Sequence, residues 1–404
     1  MTEPLFRNLL VLDCASFVAG PAAATIMSDF GARVIKIEPP EIGDSYRQLI
    51  HLPGTPLSER DYYWMLDNRN KESLALDLKQ EAAQEILRTL VKKADVFVTN
   101  FPGPIRDRLK LRPADILSLN DRIIYASLTP YGEEGPEKDR TGYDSTAWWA
   151  RSGLMHAVRP TAESEPARSI PAMGDHPTAV SLYAAIMTGL YRRSITGKGG
   201  MVSTSLLANG LWSNGCFMQA ALVGARFQPR AARYQRSALL ELYRCKDDRW
   251  FMFSMVNQVR EWPLLLQVIG REAWENDPRF ATAQARHENA EAIVRAMEDI
   301  FASEDWEHWR RKFLDAGVTV GPISQPEDHF DCPQVAANGF LPEFDDEPGL
   351  RTIDSPVRVA DAPHIPPRHA PCVGQHSGDI LRELGFDDEN VRRLAKAGAV
   401  GLGG

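Results

Sequence analysis

The chain has 404 residues, of which 44% are hydrophobic and 25% charged, and its formal net charge is -8. That length exceeds what one hydrophobic core usually fills, so two lobes are expected, and the acidic balance excludes broad nucleic-acid binding through a basic surface. The amino terminus lacks the basic start and apolar run of a secretory signal, and no apolar run reaches membrane-spanning length, so a cytoplasmic protein with no nucleic-acid and no membrane partner is expected.

Residues 9–13 read as a strand, 20–29 as an Ala-rich helix stopped near Gly31, and 33–38 as the next strand. Past a loop around 41–68, residues 73–76 are strand-like, 80–92 helical, 95–99 a strand, 114–119 a short helix and 123–128 another strand. Helices are expected at 144–155 and 177–193. A strand at 201–204 and a helix at 206–222 complete an α/β, Rossmann-like doubly wound large domain, residues 1–223. Residues 224–237 turn to Arg, Gln, Pro and Ala and read as a linker. A smaller α+β domain is expected at 238–321, from apolar stretches at 239–245 and 250–255 and helical patterns at 262–269, 290–301 and 305–316. Ten prolines then fall between Pro322 and Pro371, the pattern of a tract laid over another surface or a partner subunit. Helices at 377–384 and 388–396 are expected to return to the large domain, so that 322–404 forms one return segment. The five cysteines are widely spaced and never form C-x-x-C, which favours free thiols over a zinc or disulfide site.

Three segments can carry chemistry. In Met173-Gly174-Asp175-His176-Pro177, Gly174 permits a tight turn, Asp175 can cap a helix, and Pro177 is tolerated in a first turn. A capping role for Asp175 explains that segment without catalysis. The same geometry suits a nucleophile, because a helix amino terminus keeps a carboxylate ionised and aims N–H dipoles at an oxyanion beside it. A carboxylate can attack an acyl thioester to give an anhydride, which the released thiolate reopens as an aspartyl thioester. Gly142-Tyr143-Asp144-Ser145-Thr146 is a second helix start, with Trp148 and Trp149 as core side chains. The stretch from Asn100 and Phe101 to Arg106 and Arg108 follows a strand where a doubly wound sheet places its ligand crevice, and it offers cations for a pyrophosphate. A solvated loop with ion-paired arginines explains it equally.

Val18-Ala19-Gly20-Pro21, the run from Gly31 to Pro40, Asn70-Lys71, the runs 73–78 and 95–101, Gly142-Tyr143-Asp144, Met173-Gly174-Asp175 and the run 196–200 follow one another in a specific order. In that order the chain resembles the class III CoA-transferases, the CaiB/BaiF family, which includes formyl-CoA and carnitine CoA-transferases and the α-methylacyl-CoA racemases. The resemblance implies an interlocked homodimer with coenzyme A or acyl-CoA as substrate and a small organic acid as second substrate, without metal or NAD. It implies Asp175 as the catalytic carboxylate, Asp144 in the place of a supporting glutamate, and Tyr143 on the CoA side. Asn100, Phe101 and Arg108 match the CoA-contacting turn, and Val18, Ala19, Asn70, Lys71 and Arg106 complete the implied coenzyme-binding set. Val18 stands where formyl-CoA transferases carry a glutamine, so their substrate contacts do not transfer. Racemases carry a histidine at the position of Tyr143, and a tyrosine near its ordinary pKa is poorly poised to exchange an α-proton. CoA transfer is therefore favoured over 2-methylacyl-CoA racemisation or epimerisation, with His156 and His176 keeping the latter open; an intramolecular CoA-transferring isomerase also fits. The first βα turn lacks G-x-G-x-x-G, which argues against an NAD-dependent dehydrogenase.

Overall fold

Six strands, Leu10–Asp13 (β1), Arg33–Glu38 (β2), Glu72–Leu76 (β3), Val96–Thr99 (β4), Ile124–Thr129 (β5) and Gly200–Ser205 (β6), pair in parallel in the order β3-β2-β1-β4-β5-β6. The computed structural model describes residues 3–227 and 232–403, so part of the expected linker, 228–231, lies outside the described residues. A terminal strand, Val400–Gly401, extends the β3 edge in the antiparallel sense. Side chains alternate between two cores. Val11, Val34, Val96 and Val98 face the first helix (Ala19–Asp29) and the long helix Asp175–Thr196; Leu12, Ile35, Phe97 and Leu74 face the helix Glu81–Val91 and the terminal helices Ser377–Glu383 and Asp388–Lys396. Burial on both faces is why β1 to β5 read as nearly continuous apolar runs. The strand order reverses between β1 and β4, which opens a crevice at their carboxyl ends.

Three local expectations give way to finer structure. The expected loop at 41–68 contains a 3-10 turn, Ser45–His51, and a helix, Tyr62–Asn68. Both are started by an aspartate rather than by apolar periodicity: Asp44 accepts the Tyr46 N–H and Asp61 accepts the Trp64 N–H. The helix expected at 144–155 is a π-helical turn, Asp144–Ala150, followed by a separate short helix, Leu154–Ala157. The break falls at Gly153, which takes φ of 87°. The helix expected at 206–222 is two, Leu206–Ser213 and Gly215–Leu222, separated by Asn214, whose Nδ2 donates to the Ser152 carbonyl at 3.0 Å.

The chain divides into two compact units. The larger comprises Met1–Val158, Pro166–Ala225 and Ala336–Gly404 and holds the sheet; the smaller comprises Arg159–Glu165 and Arg226–Val335. Within the smaller, Leu242–Arg244, Trp250–Phe253 and Val320–Pro322 form an antiparallel sheet, and Tyr243, Phe251 and Phe253 pack on Phe301 and Phe313 of two helices, Ala290–Phe301 and Trp306–Ala316.

Candidate active site

The crevice at the switch point is shaped by a buried charge. Lys36, at the centre of β2, is fully buried; its Nζ donates to the Ala15 carbonyl at 2.5 Å and pairs with Asp44 at 2.7 Å. Burial alone would lower this ammonium, but Asp13 and Asp44 outweigh it and push it up to about 12. Asp44 in turn accepts the Ser16 hydroxyl at 2.6 Å and the Phe17 N–H at 3.1 Å. Asn100, just past β4, clamps the same loop reciprocally, donating from Nδ2 to the Ser16 carbonyl at 2.6 Å and accepting the Ser16 N–H on Oδ1 at 2.9 Å. Held this way, Phe17 takes φ of 63°, a left-handed conformation that costs a non-glycine residue roughly 1 kcal/mol or more.

Beyond this loop lies a cavity of about 820 Å³, a size suited to a small-molecule ligand. Val18, Ala19, Asn100, Phe101, Tyr143, Asp144 and Asp175 all line it, so the structure gathers these sequence-predicted residues in one place. Asp175 is the first residue of its helix, and the cap position belongs to Gly174, so the capping position is not the one Asp175 fills. Burial pushes its carboxyl up to about 7, with the charges of Asp144 and Asp67 adding to the rise and His176 opposing it. The expectation that the helix terminus keeps this carboxylate ionised is therefore corrected. A helix terminus contributes about 0.3–1 kcal/mol, too little to offset desolvation beside a second carboxylate.

Asp144 is buried at the start of the π-helical turn, accepting the Ser145 N–H at 2.6 Å and the Gly174 N–H at 3.1 Å. It thereby ties the residue preceding Asp175 to a second element. Gly174 has no room for a side chain, since a Cβ would sit 2.5 Å from Trp148 Cγ and 2.6 Å from Trp148 Cδ2. That indole is stacked on Trp149 with ring centroids 5.9 Å apart. Tyr143, 52% exposed, turns its ring edge-on to Phe17 at 5.7 Å across the cavity wall.

The remaining predicted residues lie elsewhere. Arg108 is exposed at the end of the helix Gly103–Arg108. Arg106 is buried, donates from Nε to the Phe101 carbonyl and pairs with Glu133 at 3.3 Å, so it shapes the turn from beneath. Lys71 does not line the cavity: it is buried, and its ammonium donates to Asp13 at 2.8 Å, the Pro21 carbonyl at 2.8 Å, and the Asp67 carbonyl and Asn68 at 2.9 Å. Burial lowers it to about 8. Asn70 fastens the return segment instead, accepting the Arg368 N–H at 2.7 Å. Both make contacts within the chain and line neither this cavity nor another large one, and a motif of charged and amide residues does not reveal in advance which of them the fold engages. His156 is exposed and lines no cavity described here.

Sequence reasoning passed over Phe17 and Tyr46 in the cavity wall and Asp67, which is bonded to Tyr46. The Tyr46 hydroxyl donates to Asp67 at 2.6 Å, and Asp67 also meets His176 Nε2 at 3.0 Å. The only available signal was the Asp44-Ser45-Tyr46 turn start inside an apparent loop. Among the described residues, one group of metal-ligating type occurs, Asp29, Asp354 and His364. Its members are held in ion pairs, Asp29 with Arg69 at 2.6 Å and Asp354 with His364 at 2.8 Å and Arg358 at 2.7 Å.

Residues 6–377 match the model of CoA-transferase family III. The chain is 29% identical over 393 residues to the (R)-2-hydroxy-4-methylpentanoate CoA-transferase of Clostridioides difficile, spanning 96% of this chain and 98% of that protein. It is 32% identical over 405 residues to the succinyl-CoA:glutarate CoA-transferase of Homo sapiens, spanning 98% of this chain and 90% of that protein. Among solved structures, a CaiB/BaiF family protein from Brucella suis is similar with a TM-score of 0.83 at 27% identity, over 95% of this chain and 100% of that one.

Proposed function

The chain belongs to CoA-transferase family III, and we propose that it moves CoA from an acyl-CoA donor to a carboxylic acid through covalent intermediates on Asp175. The observation that carries this reading is the placement of Asp175: it lines the switch-point cavity as the first residue of its helix, past the cap, where burial and Asp144 push its carboxyl up to about 7. A carboxylate stripped of solvent is a better nucleophile than a hydrated one, and an acyl thioester is an activated electrophile.

The steps balance without an external proton. An Asp175 carboxylate oxygen attacks the thioester carbonyl, the C–S bond breaks, and CoA leaves as thiolate from an acyl-aspartyl anhydride. The thiolate attacks the aspartyl carbonyl and expels the donor acid as its carboxylate, leaving an aspartyl-CoA thioester. The acceptor carboxylate attacks that thioester to form a second anhydride and free the thiolate again. Attack of the thiolate on the acceptor's carbonyl releases the new acyl-CoA and regenerates Asp175. Asp144 positions the turn through the Gly174 N–H and supports the site electrostatically. Tyr143 and Phe101, with Val18 and Ala19, bound the thioester end, and the exposed Arg108 is suited to a CoA phosphate.

A homodimer fits the large apolar side chains left exposed on the described helices, among them Trp212 at 87%, Leu222 at 76% and Tyr191 at 69%. Size-exclusion chromatography with light scattering giving a monomer would contradict it. No helix of the described residues is long and apolar enough to cross a membrane, and a cytoplasmic enzyme is the reading we adopt.

The test is to incubate the protein with a panel of acyl-CoA donors, trap with hydroxylamine or borohydride, and weigh the Asp175 peptide. A mass change confined to that peptide is expected. Absence of any adduct, with Asp175→Ala as active as the native protein, would overturn the reading.

A further inference from the structure

Asp175 has a neighbour whose ring the transfer steps leave unused. His176 Nε2 lies 3.0 Å from one oxygen of Asp67, and the Tyr46 hydroxyl donates to the other at 2.6 Å. Asp67 and Tyr46 are both almost fully buried, at 2% and 1% exposure. Three side chains from three elements, the 3-10 turn Ser45–His51, the helix Tyr62–Asn68 and the helix Asp175–Thr196, thus form one hydrogen-bonded chain. It runs from Tyr46 in the wall of the 820 Å³ cavity to Asp67 and His176 in the wall of a second cavity of about 550 Å³.

We infer that His176, oriented by the Tyr46–Asp67 pair, is a positioning residue whose imidazolium beside Asp175 favours the ionised form of the nucleophile. The inference rests on the reading of Asp175 as nucleophile. A carboxylate that already accepts a phenol proton on one oxygen favours an N–H, not a lone pair, at the other. Burial lowers the His176 imidazolium, but the Asp67 hydrogen bond and the charges of Asp67, Asp175 and Asp144 outweigh it and raise it above its ordinary value. Tyr46 stays a neutral phenol, pushed far up by burial and by Asp67.

The charges around Asp175 make the imidazolium matter. Asp144 faces it from the π-helical turn and Asp67 from the helix Tyr62–Asn68, and both are acidic. Nearby cations are engaged: Arg69 grips Asp29 through two hydrogen bonds of 3.0 and 2.6 Å, and Lys71 is shared among its four acceptors. His176 is the opposing charge. His176 lines the smaller cavity and is not among the residues lining the larger, which also separates this role from acid/base work on a substrate α-carbon.

The experiment is the pH profile of kcat/KM for the acyl-CoA in the native protein and in His176→Gln, whose amide keeps a donor for Asp67 but carries no charge, together with adduct trapping on Asp175 at about pH 9. The acid limb is expected to move up by about half to one pH unit, so that kcat/KM near pH 6 falls roughly 3- to 10-fold while values at about pH 9 agree within about twofold. A purely structural role would lower the whole profile or melt the protein without moving the limb. An unmoved limb with the Asp175 adduct present overturns the inference and leaves the nucleophile in place; absence of the adduct in the native protein overturns both. His176→Asn reads the same limb should the glutamine variant not fold.

Discussion

Replacing Asp175 by asparagine is expected to stabilise the protein at alkaline pH while abolishing transfer. The carboxyl titrates at about 7 instead of 3.8, because burial first and Asp144 second disfavour its charged form. Roughly three pH units at about 1.36 kcal/mol each correspond to about 4 kcal/mol for ionising Asp175 in the folded protein. The folded state binds this proton more tightly than the unfolded chain, so its contribution is fully present below about pH 4, declines as pH rises, and is lost above about pH 7. Asparagine of nearly the same shape never ionises. Urea unfolding of both proteins should therefore show stabilities within about 1 kcal/mol near pH 4, with the variant ahead by about 2–4 kcal/mol near pH 8. A stability difference that is the same at both pH values would refute the claim that Asp175 is held against its charge.

Other substitutions probe the elements that present it. Gly174→Ala drives a Cβ into Trp148, which is braced by Trp149, so thermal unfolding should report a loss of about 1–3 kcal/mol. A displacement of the following carboxylate by about 1 Å should also lower kcat about 100-fold, and native activity in this variant would show that the turn does not position Asp175. Lys36→Met leaves Asp44 without its buried cation, while Asp13 keeps Lys71, and should cost about 3–5 kcal/mol in chemical denaturation; a loss under about 1 kcal/mol would mean the switch-point loop is held by other contacts. Arg108→Ala should raise KM for acyl-CoA about tenfold, or about 1.4 kcal/mol, with kcat within about twofold, and an unchanged KM would remove Arg108 from the CoA contacts.

The sheet was legible because β1 to β5 are buried on both faces and the helices between them carry their own periodicity. Elements made by a single cap were not: the turn at Asp44 and the helix at Asp61 each depend on one carboxylate meeting one N–H. The single helix expected across 144–155 failed because Gly153 adopts a left-handed conformation that periodicity does not register. Within the site, Gly174-Asp175 could be read locally, since the glycine's steric need and the aspartate's place at a helix start are neighbours in sequence. Its environment could not. Tyr46, Asp67 and His176 are brought together from positions up to about 130 residues apart, and only the fold reveals that they share one carboxylate. Lys71 shows the converse, a charged residue in a recognisable motif that the fold surrounds with four acceptors.

The most direct measurement of the central claim follows an oxygen atom. In the proposed sequence the acceptor's carboxylate oxygen becomes the bridge of the second anhydride and stays on Asp175 when the thiolate takes the acceptor's acyl carbon. With an acceptor acid carrying heavy oxygen in both carboxylate positions, mass spectrometry should find one labelled oxygen after a single turnover, and up to two after many, in the peptide that contains Asp175, and nowhere else in the chain. Complete turnover with no label in that peptide would contradict covalent transfer through Asp175.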